Sequence, residues 1–239
     1  MQPSVGLLLD LDGTLVDTLG FLFEAFRHAV KPFVTRLPSD EEIVATFGPA
    51  EPECIARCLQ RAESEGWART PFEEAIDTAV ERFFQFYETH PNQVRLFPGL
   101  IDIVHQARGK GWRLGIFTGK GRRGAEYTLE HLRLWPHAID CLVSSDDVAR
   151  AKPYPDGVLR AMAEMAVEAR RLLFVGDAPA DIAAGKSAQV VTAAALWGAF
   201  DKEATMDAKP DFILHSVQEL EALLERLGPV QESFTSAAG

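Results

Sequence analysis

Val5-Gly6-Leu7-Leu8-Leu9-Asp10-Leu11-Asp12-Gly13-Thr14-Leu15-Val16-Asp17 is the stretch on which the reading of this chain turns. Val5, Leu7, Leu8, Leu9 and Leu11 show no polar alternation, which is the pattern of a strand buried on both faces in the middle of a parallel sheet. Two carboxylates mark its end. Residues two apart on a strand point the same way, so Asp10 and Asp12 can share one cleft as the chain leaves the sheet, while Gly13 lets the backbone turn sharply. Like charges held this close raise each other's pKa unless a cation lies between them. A hard divalent ion with oxygen ligands answers that need, and Mg2+ is the usual one where phosphate is also present. A strand followed by an Asp/Gly turn is common in itself, so the rest of the chain has to decide.

Working outward, residues 18–93 carry only helical signals. Thr18 is placed to cap a helix whose apolar positions Leu19, Leu22, Phe23, Phe26 and Val30 recur at helical spacing, and Pro32 stops it near Lys31. Ser39-Asp40-Glu41-Glu42 is a capping box for a short helix to Phe47, and Gly48-Pro49 breaks it. A further helix is expected from Pro52 to Glu65 with Gly66 as its stop. Another opens at Thr70-Pro71-Phe72-Glu73 and buries Ala75, Ile76, Ala79, Val80, Phe83, Phe84 and Tyr87.

From Phe97-Pro98-Gly99 onward the pattern changes to strands alternating with helices. Strands are predicted at Arg113 to Phe117, Ile139 to Val143, Arg171 to Val175, Val190 to Ala195 and Phe212 to Leu214. Helices are predicted between them, with a last one capped by Ser216. Such alternation implies an α/β fold, a doubly wound parallel sheet with helices on both faces, whose ligand site lies beyond the carboxyl ends of the strands. The expected organisation is an α/β core of residues 1–17 and 94–228, a small inserted all-helical cap of 18–93, and a mobile tail of 229–239.

Composition narrows the function classes. The chain has 239 residues, 47% of them hydrophobic, enough for one good core with a small accessory domain. A formal net charge of −11 argues against a nucleic-acid or anionic-membrane partner, because the longest basic run is Lys120-Gly121-Arg122-Arg123. Three cysteines, Cys54, Cys58 and Cys141, lack framework spacing and read as buried thiols in a reduced setting. With no signal-peptide pattern and no membrane-length apolar run, a cytoplasmic location is the expectation. The charge leaves oligomeric state open.

Each later strand ends in a residue suited to one job. Phe117 is followed by Thr118-Gly119-Lys120, a hydroxyl and backbone amides suited to phosphate oxygens. Val175 is followed by Gly176-Asp177 and, one helical turn on, Asp181. Lys152 lies on a loop stiffened by Pro153 and Pro155. Taken singly, Thr118 reads as a helix cap, Lys152 as a solvated lysine and Asp181 as a helix-dipole partner. Their joint order is what carries information.

That order, Asp10-x-Asp12-Gly13-Thr14, Thr118, Lys152 and Gly176-Asp177-x-x-x-Asp181, resembles the haloacid dehalogenase-like hydrolase superfamily over nearly the whole chain, with residues 18–93 similar to its helical cap. Within it, Thr118-Gly119-Lys120, the Lys152-Pro153-x-Pro155 loop and the Gly48-Pro49 bend are similar to phosphoglycolate phosphatases and related small-molecule phosphatases, including bacterial pyrophosphatases. The resemblance implies a Mg2+-dependent phosphatase acting on a small phosphorylated metabolite, phosphoglycolate-like, through an aspartyl phosphate. Asp10 is then the nucleophile and Asp12 the general acid and base. Asp10, the backbone carbonyl of Asp12 and Asp177 hold the metal, with Asp181 steadying it. Thr118, with the neighbouring amides at Gly119, binds phosphate oxygens, and Lys152 orients Asp10 and neutralises charge. Lys120 either meets a phosphate oxygen or is merely solvated, and Gly48 belongs to a cap loop, Phe47 to Glu51, expected to reach into the site.

Asp12 speaks against a dehalogenase, which lacks a second aspartate, and a cap with Lys31 as its one lysine speaks against a Schiff-base phosphonatase. A pyrophosphatase, a hexose-phosphate mutase and, outside enzymes, a receiver-like phospho-acceptor domain stay as alternatives. The cap cations Arg27, His28, Lys31, Arg36, Arg57 and Arg61 are candidates for a second anionic group of the substrate.

Overall fold

A computed structural model describes residues 4–228. The expectation for a mobile tail at 229–239 falls outside them. In chain order the elements are β1 (Ser4–Leu9), β2 (Val16–Asp17), α1 (Leu19–Val30), α2 (Asp40–Val44), α3 (Glu51–Ser64), α4 (Phe72–Thr89), β3 (Arg95–Leu96), α5 (Leu100–Gly109) and β4 (Arg113–Phe117). They continue with α6 (Arg122–His131), β5 (Cys141–Val143), α7 (Asp156–Met165), β6 (Val167–Gly176), α8 (Pro179–Ser187), β7 (Val191–Ala195), α9 (Lys202–Asp207), β8 (Phe212–Leu214) and α10 (Val217–Leu227).

Six strands form a parallel sheet in the order β5-β4-β1-β6-β7-β8. β1 lies inside it, with Leu8 opposite Gly115 of β4 on one side and Phe174 of β6 on the other. Its side chains alternate between two cores, as a strand's must. Val5, Leu7 and Leu9 join α5, α10 and the helical insert on one face, whereas Leu8 packs with Phe117, Phe174 and α7 on the other. Both faces are therefore apolar, which is why the run shows no alternation. After β1 the chain builds β4 and β5 outward on one side, then returns to place β6 on the opposite side of β1. The sheet reverses direction there, and a crevice opens beyond the strand ends at that reversal.

α1 to α4 form the insert between β1 and the rest of the sheet. Its interior is aromatic: Phe26 meets Phe83 edge-on at 5.2 Å and Phe21 meets Tyr87 at 4.8 Å between ring centres. The capping box at Ser39 is present, with Ser39 Oγ accepting from the Glu42 N–H and Glu42 accepting from the Ser39 N–H.

Three local expectations are corrected. Thr18 does not cap α1 with its side chain, because its hydroxyl is turned to Asp12 instead. Thr70 does not cap α4, which begins after Pro71 with no side-chain cap. The short helix expected to reach Phe47 ends at Val44. Two features escaped the sequence reading: α9, and a small antiparallel ribbon in which β2 and β3 pair Val16 with Leu96 and Asp17 with Arg95. Among the described residues no helix is long and apolar enough to cross a membrane.

Candidate active site

The carboxyl ends of β1, β4 and β6 deliver Asp10, Thr118 and Asp177 to one cleft of about 480 Å³, which also receives Asp12, Gly48, Gly119, Lys120, Lys152 and Asp181. All nine residues singled out from the sequence therefore line the same space. Ligand oxygens of Asp10, Asp177 and Asp181 lie within 4.8 Å of one another, and all three residues are buried. The Asp10 and Asp12 carboxylates do not share one ammonium. Each has its own buried lysine: Lys152 Nζ is 2.5 Å from Asp10 Oδ1 and 2.6 Å from Asp181 Oδ1, whereas Lys120 Nζ sits 3.1 and 3.0 Å from the oxygens of Asp12. The alternative of a solvated Lys120 is thereby corrected, since its ammonium is buried beneath Asp12 and 4.9 Å from the centre of the Tyr87 ring.

Burial sets the electrostatics. It pushes the Asp10 carboxyl up to about 7 despite the opposing pull of Lys152. It raises Asp177 well above the usual carboxylate range, with Asp10 and Asp181 adding to the rise. Both lysines would lose basicity on burial, but their carboxylate partners hold them above the ordinary lysine range. A buried trio of carboxylates with a single ammonium against it is short of positive charge. Its hard oxygen donors suit a divalent cation such as Mg2+.

The surrounding backbone is shaped to these side chains. Gly13 has φ +81°, and a Cβ there would come within 2.4 Å of Asp177 Oδ2. Thr14, which closes the Asp10-x-Asp12-Gly13-Thr14 motif, donates its hydroxyl to Asp177 Oδ1 at 2.8 Å. Thr205 of α9 donates to the Asp177 carbonyl at 2.8 Å, and Asp181 Oδ2 accepts from the Ala178 N–H at 3.0 Å. Thr118 does not cap α6, whose first turn follows Gly121; its hydroxyl accepts from the Lys120 N–H at 3.1 Å.

The insert contributes a wall. The bend at Gly48-Pro49 lines the cleft, and Glu51 follows it into the interior. Glu51 Oε2 accepts from the Gly121 N–H at 2.7 Å, and Oε1 makes no hydrogen bond but faces Lys120 Nζ at 3.9 Å. Burial raises the Glu51 carboxyl above its ordinary pKa. The loop Phe47 to Glu51 thus reaches the cleft as expected, while the partners of Glu51 there, the Gly121 N–H and Lys120, have no signal in the sequence. The six cap cations do not line the cleft. Arg27 is held by Asp40 and the Pro38 carbonyl, Arg36 and Arg61 by Glu42 and Glu65, Arg57 by Glu53, and His28 lies against Arg82.

A family model described as haloacid dehalogenase-like hydrolase matches residues 7–195, which takes in all nine of the residues singled out from the sequence. The chain belongs to the haloacid dehalogenase-like hydrolases. It is an enzyme fold with a helical insert, so the receiver-like alternative falls away. Among relatives of this hydrolase, "Pyrophosphatase PpaX" of Anoxybacillus flavithermus is 30% identical over 223 residues, spanning 91% of this chain and 95% of the relative. The protein of the same name from Oceanobacillus iheyensis is 29% identical over 214 residues, spanning 90% and 94%. Among solved structures, a predicted phosphoglycolate phosphatase from Haemophilus somnus superposes with a TM-score of 0.77 at 20% identity, covering 91% of this chain and 97% of that one. A hydrolase from Pseudomonas syringae does so with 0.75 at 23%, covering 95% and 100%. At such identities these structures speak to the fold alone.

Proposed function

We propose that this hydrolase is a Mg2+-dependent phosphatase that cleaves a small phosphorylated metabolite through an aspartyl phosphate on Asp10. One observation supports this above the others: Asp10, Asp177 and Asp181 converge with Lys152 at the reversal point of the sheet, and Asp12 stands in the same cleft on a lysine of its own.

Asp10 and Asp177 would hold the metal, with the Asp12 carbonyl as a further donor, since the Asp12 side chain is engaged by Lys120 and Thr18. Bound there, Mg2+ supplies charge that offsets repulsion between a carboxylate nucleophile and an anionic phosphate. Asp181 bonds to Lys152 and so positions the ammonium that points Asp10. Asp10 attacks phosphorus; the leaving oxygen takes its proton from Asp12, which then removes one from the water that hydrolyses the acyl phosphate. Lys120 and Thr18 fix the Asp12 carboxyl for both transfers. The Thr118 hydroxyl and the amide at Gly119 take the non-bridging oxygens.

The insert serves as a cap that excludes water during the first step, moving about the segments Asp17 to Thr18 and Gln93 to Phe97, which take in part of the β2–β3 ribbon. Hydrolysis of pyrophosphate at the same centre is a second reading, supported by the names of the relatives. The test is phosphate release from a panel of esters with Mg2+ and with chelator, for wild type and Asp10→Asn. Turnover that needs Mg2+ and vanishes in the variant is expected; appreciable activity in purified Asp10→Asn overturns the assignment.

A further inference from the structure

The cleft is polar at one end only. Where it runs from the strand ends toward the insert, its wall is Leu19, Leu22, Phe26, Val44 and Phe47, with Phe200 of the core at the rim. Charge inside it is one-sided. Asp10, Asp12, Glu51, Asp177, Asp181 and Asp201 face the space with two cations, Lys120 and Lys152, and among the described residues no arginine or histidine lines it. Neither lysine is at liberty for a substrate's far end. Lys152 is bonded to Asp10 and Asp181, and Lys120 to Asp12 with Glu51 beyond it. Arg27, Arg36, Arg57 and Arg61 of the insert are paired with carboxylates away from the cleft. A phosphoryl group has partners here, but a second anionic group placed against the apolar wall meets no uncommitted cationic side chain among the residues lining the cleft, and Lys120 already faces Glu51. Desolvating an unpaired anion is costly, whereas hydrocarbon placed there gains.

Building on the phosphatase reading, we propose that the substrate is a phosphate monoester whose leaving alcohol is uncharged and carries hydrocarbon against Leu19, Leu22, Phe26, Val44 and Phe47, rather than a compound with a second anionic group such as phosphoglycolate or pyrophosphate. The cavity of about 480 Å³ lies within the range of small-molecule sites, about 300–1,000 Å³, so the alcohol is metabolite-sized.

The test is kcat/KM for ethyl, n-butyl and n-hexyl phosphate, phosphoglycolate and pyrophosphate at fixed Mg2+, with p-nitrophenyl phosphate as an activated reference. The n-alkyl leaving groups have nearly equal basicity, so differences among them report contact with the wall. A rise of about fourfold per methylene, the equivalent of ~0.8 kcal/mol, is expected until the wall is covered, with phosphoglycolate and pyrophosphate both slower than n-hexyl phosphate. A flat series, or phosphoglycolate or pyrophosphate outrunning n-hexyl phosphate, overturns this inference and leaves the phosphatase reading standing. No turnover of any compound, the activated ester included, overturns both.

Val44→Lys places a cation on the wall and should shift the ratio of phosphoglycolate to n-hexyl phosphate by at least about fivefold, what ~1 kcal/mol between charges ~4 Å apart in water provides. Leu19→Lys makes the same test from α1 should the first variant fold poorly. An unchanged ratio in a folded variant overturns the inference.

Discussion

Gly13 and Gly66 have nearly the same backbone conformation, φ +81° and +77°, in very different surroundings. An added methyl at Gly66 meets nothing within 4 Å, while at Gly13 it lands 2.4 Å from Asp177 Oδ2 and 2.7 Å from Asp177 Cγ. Gly66→Ala therefore measures the left-handed backbone alone, about 1–2 kcal/mol. Gly13→Ala carries the same cost and must also push Asp177 aside. Asp177 cannot yield without losing the Thr14 hydroxyl 2.8 Å away, a hydrogen bond to a charged group worth about 1.5–3 kcal/mol. The expected loss for Gly13→Ala is thus about 2.5–5 kcal/mol, and the displaced carboxylate should weaken Mg2+ binding that Gly66→Ala leaves intact. Urea unfolding of the two variants beside wild type, with calorimetric titration of Mg2+ at pH 7, measures both quantities. Equal destabilisation in the two variants, or unchanged Mg2+ affinity in Gly13→Ala, would refute the claim that this glycine exists to admit Asp177.

Thr14→Val removes the hydroxyl from Asp177 while nearly keeping shape, and a metal affinity about 10–100-fold weaker is expected by the same titration; an unaltered affinity counts against Asp177 as a ligand. Lys120→Met strands Asp12 and Glu51 in the interior and should cost about 3–5 kcal/mol in urea unfolding, with part of the loss recovered by adding Glu51→Gln; a loss under about 1 kcal/mol would mean the pair is not held as described. Glu42 accepts two 2.8 Å bonds from Arg36 and one from the Ser39 N–H, which hold its carboxyl at about 2. A depressed folded pKa stabilises the protein above the unfolded value of 4.5 and ceases to as the pH falls toward 2, so the melting-temperature gap between wild type and Glu42→Gln should be full at pH 7 and narrow below about 4.5. A gap that stays constant down to pH 3 contradicts this.

The sheet was legible because its strands announce themselves twice, as unbroken apolar runs and as runs spaced by helical periodicity. β4 and β8 were bounded to the residue. α9 left no such trace: it is six residues long and buries one of them, Thr205, so it offers no apolar stripe to count. The β2–β3 ribbon has two residues per strand and is made by pairing across the whole insert, which no local pattern encodes. Lys120 was ambiguous for a related reason. In the chain it begins a basic run that looks solvent-facing, and only a contact 108 positions away turns its ammonium inward. Thr18 precedes a helix as a capping residue should, yet the Asp12 carboxylate competes for its hydroxyl and wins. The aspartates were easier, since strand termini and short spacing fix where they must be.

The ribbon also bears on how this hydrolase can change. Because Val16–Asp17 and Arg95–Leu96 lie side by side, the polypeptide departs for the insert and comes back at one spot, tied like the neck of a bag. An insert of another length can therefore hang from the same knot, provided it still covers Val5, Leu7 and Leu9 from above and still offers Lys120 an acid where Glu51 now stands.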